Sequence, residues 1–471
     1  MSEVVTKEKE VKTQKSRETN MTEGNPMSLI LRFALPLFIG NVFQQFYNMA
    51  DSIIVGHFVN ADALGAVGST GTIMFLLLGF GTGLTQGYAV LPSQRFGAGD
   101  TEGVKKSVAN SIVLSIITSI VVTVVGVSVM KPLLHLMNTP DNIYDYAYNY
   151  IIWIAWGTVT IVFYNLFSSL LRSVGNSTAP LFFLIFSAAL NIFLDLLFIA
   201  VFKMGTMGAA LATDAAQGIS AVFCGIYIWV KFPILRPRRK DFFINIPDTK
   251  KQLGVGLPMA LQFSITASGA MVMQTAINAF GSVAISSFTA AGKLVNLLMQ
   301  GYMTFGQAEA TFSAQNYGKG DIGRVKAGVK STFIVMIIYT VIAIILTNVL
   351  LRPTMYLFFT ADTDMDVMIK WARPYIIYAS IFYVPLGMIF IYRNVMQGCG
   401  YGLLPMLGGV VEFCARVVCA LVSIKLHSYN LAVFCDPCAW ICAGTFVFFA
   451  YHYLIKKIEA KHEKAEAVET A

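Results

Sequence analysis

The chain has 471 residues, of which 56% are hydrophobic and only 13% charged, with a mean hydropathy of +0.65 and a formal net charge of +8. No ordinary soluble protein of this size is so apolar, so the composition predicts a membrane protein. The excess of Lys and Arg lies mostly in short segments between apolar runs, which indicates membrane topology and not nucleic-acid binding.

Long apolar runs alternate with short polar breaks along most of the sequence. Crossing ~30 Å of hydrocarbon takes about 20 residues of helix. Twelve runs meet that length, beginning near residues 28, 63, 107, 148, 181, 208, 253, 285, 331, 374, 404 and 433. They predict an all-α integral membrane protein with twelve transmembrane helices and with both ends on one side. The first 20 residues contain no apolar core, so we expect no signal peptide.

The distribution of basic residues predicts which side the termini occupy. With a cytoplasmic N-terminus, 25 Lys and Arg residues fall on the cytoplasmic side, with Arg172 and Arg393 counted in its short loops, and 6 fall on the opposite side. The remaining three, Arg32, Lys293 and Arg416, fall within spans. Because positive residues are retained on the cytoplasmic side, we expect a multi-pass protein of the cell membrane with both termini in the cytoplasm.

Three motifs recur in the same order at a nearly constant spacing. QRFGAGD at residues 94–100 returns as QNYGKGD at 315–321, an offset of 221. LRSVGNSTAP at 171–180 aligns with MQGCGYGLLP at 396–405, and Pro36 aligns with Pro258, at offsets of 225 and 222. Such ordered self-similarity predicts an internal repeat.

The repeat predicts two lobes of six helices each. An even number of helices returns the chain to its starting side, so the lobes share one orientation and are related by a pseudo-twofold axis along the membrane normal. A cleft between such lobes can open alternately to either side, which is transporter architecture. The predicted segments are an N-terminal tail at 1–27, an N-lobe at 28–230, a basic cytoplasmic linker at 231–252, a C-lobe at 253–455 and a C-terminal tail at 456–471.

From about Met27 to Ile455 the sequence resembles the multidrug and toxic compound extrusion (MATE) transporters. The resemblance is carried by YNMADSIIVG, the two Q-x-x-G-x-G-D loops, LRSVGN, NIFLDLLFI followed by MGAALAT, and VVEFCAR. It implies two six-helix lobes around a cavity and the efflux of organic, commonly cationic, compounds in exchange for H⁺ or Na⁺.

Polar residues within apolar spans are candidates for function. Asn191 and Asp195 stand one helical turn apart, as do Tyr47 and Asp51. The resemblance to the DinF-like branch of the family implies an N-lobe coupling site with Tyr47, Asp51, Asn191, Asp195 and Thr213. The same resemblance implies two further positions. Asn165 is a weaker candidate for the same polar network, and Pro36 is the proline at which the first helix can bend.

Such a site would work through a carboxyl group whose proton affinity depends on its surroundings. An aspartate in water titrates near ~3.9, and burial beside a second carboxylate can raise that value by about 3 to 5 units. A proton, a cation or a cationic substrate can each relieve the buried charge, so competition among them amounts to antiport. The same residues could instead bond to backbone amides or join helices.

The C-lobe offers fewer polar candidates. Glu412 and Arg416 can form an i,i+4 pair, for which a structural and a transport role are about equally supported. Glu309 is a further possible polar site. For Asp214, nearer the external end of its span, a solvated structural role has at least as much support as a functional one. The sodium-coupled NorM-like branch has acids in spans seven and ten, but residues 253–279 and 374–395 contain none. Coupling in the N-lobe, with H⁺ favoured and Na⁺ open at Asp51, Asn191 and Asp195, is therefore expected.

No pattern in the sequence indicates catalysis. Cys435 and Cys438 have redox or metal spacing, but a single such pair is more often incidental. No zinc motif, phosphate loop or nucleophile motif is present. We therefore expect neither an enzyme nor a cofactor other than the coupling ion.

The substrate is less determined than the architecture. The chain contains 35 Phe, 20 Tyr and 21 Met residues, which would suit amphiphilic organic cations, although membrane spans are rich in such residues anyway. A lipid-linked saccharide flippase is the alternative, and would be expected to have a more basic cavity than one with Arg416 and Lys293. A membrane protein without a transport function is the less favoured second alternative. Twelve helices can enclose a cavity alone, so we expect a functional monomer.

Overall fold

A computed structural model of the chain describes residues 18–137, 139–243, 245–359 and 364–469. Most of the predicted N-terminal tail, residues 1–17, lies outside the described residues. Within the described ranges the regular elements are helices, and no strand occurs. The fold is therefore all-α, as the sequence predicts.

Seven α-helices lie in the described residues of the first half of the chain. These are α1 (Pro26–Phe58), α2 (Ala61–Gly97), α3 (Thr101–Leu136), α4 (Asp141–Trp156), α5 (Thr158–Ser173), α6 (Thr178–Asp195) and α7 (Gly205–Lys231). A π-helical turn at Leu196–Val201 extends α6.

The described part of the second half contains eight α-helices. These are α8 (Ile246–Asn278), α9 (Ser282–Lys319), α10 (Ile322–Phe358), α11 (Met365–Ile381), α12 (Tyr383–Gly398), α13 (Leu403–Leu426), the short α14 (Tyr429–Val433) and α15 (Cys435–Glu469). Helix α8 begins inside the segment that the sequence analysis assigns to the linker, and α15 extends into the predicted C-terminal tail.

Two pairs of helices form bent spans. Helices α4 and α5 meet at Gly157, and α11 and α12 meet at Phe382, each with a bend of 51°. The two bends are 225 residues apart, which is the offset of one of the sequence repeats. Among the described residues, ten other helices are long and apolar enough to cross a membrane singly. With each bent pair counted as one span, the prediction of twelve transmembrane helices is confirmed.

The repeated Q-x-x-G-x-G-D motif is a helix-to-helix connection. Its second glycine, Gly99 or Gly320, has a φ of +74° or +83°, a conformation that a side chain disfavours. The aspartate that follows, Asp100 or Asp321, caps the next helix by accepting a hydrogen bond from the backbone N–H three residues later. The motif therefore ends one helix and starts the next in both lobes.

The same motif joins the lobes to each other. The Gln94 side chain donates to the Gly398 carbonyl oxygen at 2.8 Å, and the Gln315 side chain donates to the Ser173 carbonyl oxygen at 3.0 Å. A Cβ at Gly97 would overlap the Gln315 carbonyl oxygen. A Cβ at the corresponding glycine of the second motif would overlap the Gln94 carbonyl oxygen. Glycine is thus required where the two backbones meet.

Further contacts close the same end of the bundle. Arg95 donates two hydrogen bonds to the Asp248 carboxylate, at 2.8 and 2.7 Å, a paired geometry that is stronger than a single bond. Met21, just before α1, is fully buried, and its N–H donates to the Gln315 side-chain oxygen at 2.8 Å. The N–H of Thr19 donates to the Val174 carbonyl oxygen, so the segment before α1 contacts both lobes.

Two basic residues lie elsewhere than the sequence analysis placed them. Arg172 and Arg393 were counted in short cytoplasmic loops, but they lie within α5 and α12. Each precedes the end of its helix by at least one residue, and each lines a cavity, Arg172 between the lobes and Arg393 within the C-lobe. Apolar runs give poor estimates of where a helix ends, because a long basic side chain can face a polar cavity without ending the helix.

Candidate functional site

The N-lobe gathers polar residues from three helices into one buried cluster. Asp51 lies on α1, Asn191 and Asp195 on α6, and Thr213 on α7. Asp195 is fully buried, and Asp51 is 9% exposed. The Asn191 amide donates to the Thr213 hydroxyl at 3.3 Å, which links α6 to α7. The structure therefore brings together four of the residues that the resemblance implies.

The carboxyl groups of Asp51 and Asp195 face each other. They lie within hydrogen-bonding reach, and a hydrogen bond between two carboxyl groups requires a proton on one of them. Among the described side chains and backbone, no donor reaches either oxygen of Asp195 or the Oδ1 of Asp51. Buried acceptors are normally satisfied, so these oxygens are suited to receive a proton or a cation.

Two tyrosines surround this pair. Tyr47 lies close enough to Thr213, Asp51 and Asp195 to interact with them electrostatically, so the first-span tyrosine also belongs to the cluster. Tyr150, on α4, was missed by sequence reasoning; its phenol is close enough to Asp51 and Asp195 to interact with them electrostatically. It also donates to the Met74 sulfur at 3.3 Å. Its sequence context is aromatic throughout, so no spacing signal distinguishes it.

Asp214 is a third acid in this lobe, and its burial contradicts the solvated setting that the sequence analysis weighed for it. Only 8% of the residue is exposed, and its Oδ1 has no hydrogen-bond partner among the described residues. A Cβ at Gly157 would overlap its carboxyl group. Asp214 therefore packs directly on the bare backbone at the α4/α5 bend.

The two weaker N-lobe candidates lie apart from direct contacts with the acid pair. The Asn165 amide donates to the Ile161 carbonyl oxygen at 2.9 Å, within its own helix. Pro36 lies inside α1, which runs unbroken from Pro26 to Phe58, as α8 does through Pro258. Bending at Pro36 stays a prediction.

The C-lobe contains a larger cavity than the space between the lobes. It measures about 380 Å³ and is lined by residues of α8, α9, α11, α12, α13 and α15, whereas a cavity of about 70 Å³ remains between the lobes. Its charged lining residues are Lys293, Arg393, Glu412, Arg416 and Asp436. This cavity is more basic than the sequence analysis expected, because Arg393 faces it.

An ion-paired cluster forms one wall of that cavity. Arg416 donates to Glu412 at 2.8 Å, so the expected i,i+4 pair is present. Its Nε also donates to Asp436 at 3.0 Å, and the Tyr375 hydroxyl donates to the other oxygen of Asp436 at 3.3 Å. Asp436 has no spacing signal in the sequence, since it lies in the CDPC segment and its partner Arg416 is 20 residues away.

The C-lobe cluster occupies the place that the acid cluster occupies in the N-lobe. Arg416 follows Asn191 by 225 residues, and Asp436 follows Asp214 by 222, which are offsets of the sequence repeat. The N-lobe position thus carries a neutral amide where the C-lobe carries an arginine. The two lobes share a framework but differ in charge.

The remaining C-lobe candidate has a different setting. Glu309 is fully buried between α9 and α10 and lines neither cavity described above. It accepts hydrogen bonds from the Ser313 and Thr332 hydroxyls at 2.7 and 2.5 Å. Both carboxylate oxygens are therefore satisfied within the lobe.

The cysteines that suggested redox or metal spacing are unpaired thiols. Cys435 is buried at the start of α15, and Cys438 is partly buried one turn later. Among the described residues, no group of three or more His, Cys, Asp or Glu side chains is arranged to hold a metal ion.

Comparisons with known proteins agree on one family. The MatE family model matches residues 36–197 and 258–422, one match in each lobe. The chain is 29% identical over 309 residues to the probable multidrug resistance protein YpnP of Bacillus subtilis, covering 65% of this chain and 68% of that protein. It is 25% identical over 342 residues to YoeA of the same organism, another probable multidrug resistance protein, covering 71% and 74%.

Solved structures share the fold. One described as the outward-facing conformation of a multidrug resistance MATE family transporter superimposes with a TM-score of 0.87 at 22% identity, covering 95% of this chain and 99% of that one. The two-lobed architecture of twelve transmembrane spans is thus established for the described part of this chain. Since the family model matches more than half of the sequence, the chain belongs to the MATE family of multidrug efflux transporters.

Proposed function

We propose that this protein exports small organic compounds, mostly amphiphilic cations, across the cell membrane by antiport with H⁺ or Na⁺. The observation that carries the proposal is the buried pair Asp51 and Asp195, whose carboxyl groups face each other without another donor to Asp195 among the described residues. A site of this kind holds a proton or cation in one state and releases it when water enters.

The charge difference between the lobes supports coupling in the N-lobe. The acids of the C-lobe cavity, Glu412 and Asp436, already contact Arg416, whereas no Lys or Arg contacts Asp51 or Asp195 among the described residues. This arrangement favours the DinF-like over the NorM-like branch. H⁺ is the preferred coupling ion, and Na⁺ is the alternative, with Asp51, Asn191 and Asp195 as its oxygen ligands.

Alternating access between the lobes would carry the substrate. We take both termini to be cytoplasmic, so the end closed by Gln94 and Gln315 faces the cytoplasm and the substrate path opens outward. A membrane potential adds about 2.3 kcal/mol per charge per 100 mV to inward cation movement, which supplies work for export. A single chain forms both lobes, and we expect it to act as a monomer.

The test is transport of a fluorescent organic cation in proteoliposomes, with a pH gradient and a Na⁺ gradient imposed separately. The parent should respond to one gradient, and Asp51→Asn and Asp195→Asn should each lose gradient-driven transport. Asp366→Asn is the matched control, because Asp366 is exposed and its one ion pair among the described residues is with Arg352 at 3.5 Å. Full gradient-driven transport by both N-lobe variants would overturn the coupling site. Transport of a lipid-linked sugar in place of any organic cation would favour the flippase.

A further inference from the structure

The C-lobe cavity carries more positive than negative charge. Its lining includes the cations Lys293, Arg393 and Arg416 against the acids Glu412 and Asp436. The excess is one positive charge, inside a bundle of helices that crosses a membrane. An uncompensated charge in such a setting is unfavourable and is commonly matched by a partner of opposite sign.

The acids of this cavity are already engaged. Glu412 accepts from Arg416 at 2.8 Å, and Asp436 accepts from both Arg416 and Tyr375. A positively charged group entering the cavity would have to displace Arg416, whose side chain is only 7% exposed. Removing one partner of a buried ion pair is strongly unfavourable, so this wall is a poor receptor for a cation.

Lys293 is a cation of this cavity that no acid pairs with among the described residues. It is exposed on α9, lines the cavity, and has no ion pair or hydrogen bond to any described residue. It lies 11 residues into that helix, which corresponds to about 16 Å along the axis. The ammonium group is therefore too deep in the lobe to belong to a connecting loop.

The rest of the lining supplies apolar surface and amides. Phe288, Phe390 and Trp440 present aromatic surface, while Gln274 and Asn296 add amide donors. The Arg393 guanidinium lies over the Phe390 ring at 5.1 Å from its centroid, which keeps a second cation in the wall. Aromatic surface beside an unpaired ammonium suits a flat molecule that carries an acidic group.

We propose that this cavity binds the acidic group of a transported compound, with Lys293 as its direct partner and the aromatic side chains against its ring system. The inference rests on the proposed function. It specifies which transported compounds this cavity would hold, namely zwitterions in which a carboxylate accompanies a cationic aromatic ring system. Purely cationic compounds would bind without help from Lys293.

The test compares equilibrium binding of rhodamine B and its ethyl ester by fluorescence anisotropy, with the protein in phosphatidylcholine nanodiscs. The two dyes share a cationic ring system, and only the first has a free carboxylate. Lys293→Gln should weaken rhodamine B binding by about tenfold or more and leave the ester unchanged. Lys293→Arg should preserve binding of both dyes. Lys370→Gln, a change at an exposed lysine of α11 outside the cavity lining, is the matched control.

Equal weakening of both dyes by Lys293→Gln, or no change in either, would overturn the proposal. Adding phosphatidylglycerol tests the other source of an anion: if the difference between the dyes disappears, a lipid headgroup holds the site and a solute site is excluded. Binding needs no gradient, so this test is separate from that of coupling. If gradient-driven transport is absent but Lys293→Gln still affects the two dyes differently, only the antiport proposal is overturned. If transport is coupled but the two dyes respond alike, only the proposal for the C-lobe cavity is overturned.

Discussion

Gln94 and Gln315 join the two lobes by the same hydrogen bond made twice. Each side-chain amide donates to a backbone carbonyl at the end of the opposite lobe's bent span, Gly398 in one case and Ser173 in the other. The residues are 221 apart in the sequence, and their carbonyl oxygens are each covered by a glycine of the partner motif. The internal repeat thus has a mechanical role, since its two copies close one end of the cleft together.

Replacing both glutamines by alanine should open that end. Each lost hydrogen bond removes about 0.5–1.5 kcal/mol, so the double variant should favour the alternative state more than either single variant. Cys399 follows Gly398 and is buried. Its rate of maleimide labelling, read by peptide mass spectrometry, should rise. Gln300→Ala is the control, because the Gln300 side chain donates within its own helix. An unchanged labelling rate in the double variant would show that these two hydrogen bonds do not hold that end closed.

Asp195→Asn should stabilise the protein while abolishing coupling. The Asp195 oxygens have no donor among the described residues, and the carboxyl group faces Asp51. An amide removes the charge and can donate to Asp51, which we expect to raise the free energy of unfolding by ~1–3 kcal/mol. A thermal denaturation curve in detergent measures this as a higher Tm. A fall in Tm would mean that Asp195 stabilises the resting fold.

Gly157→Ala should disrupt the bend between α4 and α5. The new methyl group would overlap the Asp214 carboxyl group, and overpacking of this kind costs about 1–3 kcal/mol. Adding Asp214→Ala should recover part of the loss, because the two residues are in direct contact. Gly254→Ala is the control, since a Cβ there meets no atom within 4 Å. Additive effects on Tm in the double variant would contradict the contact.

Arg416→Met should destabilise the C-lobe strongly. It would leave Glu412 and Asp436 buried without their cation, a loss of about 3–5 kcal/mol. Combining it with Glu412→Gln and Asp436→Asn should restore part of the stability. Arg352→Met breaks an exposed pair with Asp366 and should change Tm little. Equal effects of the two arginine substitutions would contradict a structural role for the buried cluster.

Sequence reasoning reached the N-lobe site through helical spacing and family resemblance. Asn191 and Asp195 are one turn apart in any helix, so their shared face needs no tertiary information. Tyr150 and Asp214 could not be found in this way, because their place in the cluster depends on how α4 and α7 pack against α1 and α6. The charge of the C-lobe cavity was underestimated for the same reason, since Arg393 looked like a loop residue.

The sequence by itself determined that the chain is a membrane protein of twelve helices in two repeated halves. Apolar length and motif spacing are local properties, and a hydrocarbon layer admits few other solutions. Only the tertiary structure decided which polar residues meet. Asp51 and Asp195 are 144 residues apart, on α1 and α6. Arg416 and Asp436 are separated by the end of α13, a turn and the short helix α14. Their proximity follows from the packing of side chains between helices, which no one-dimensional pattern specifies.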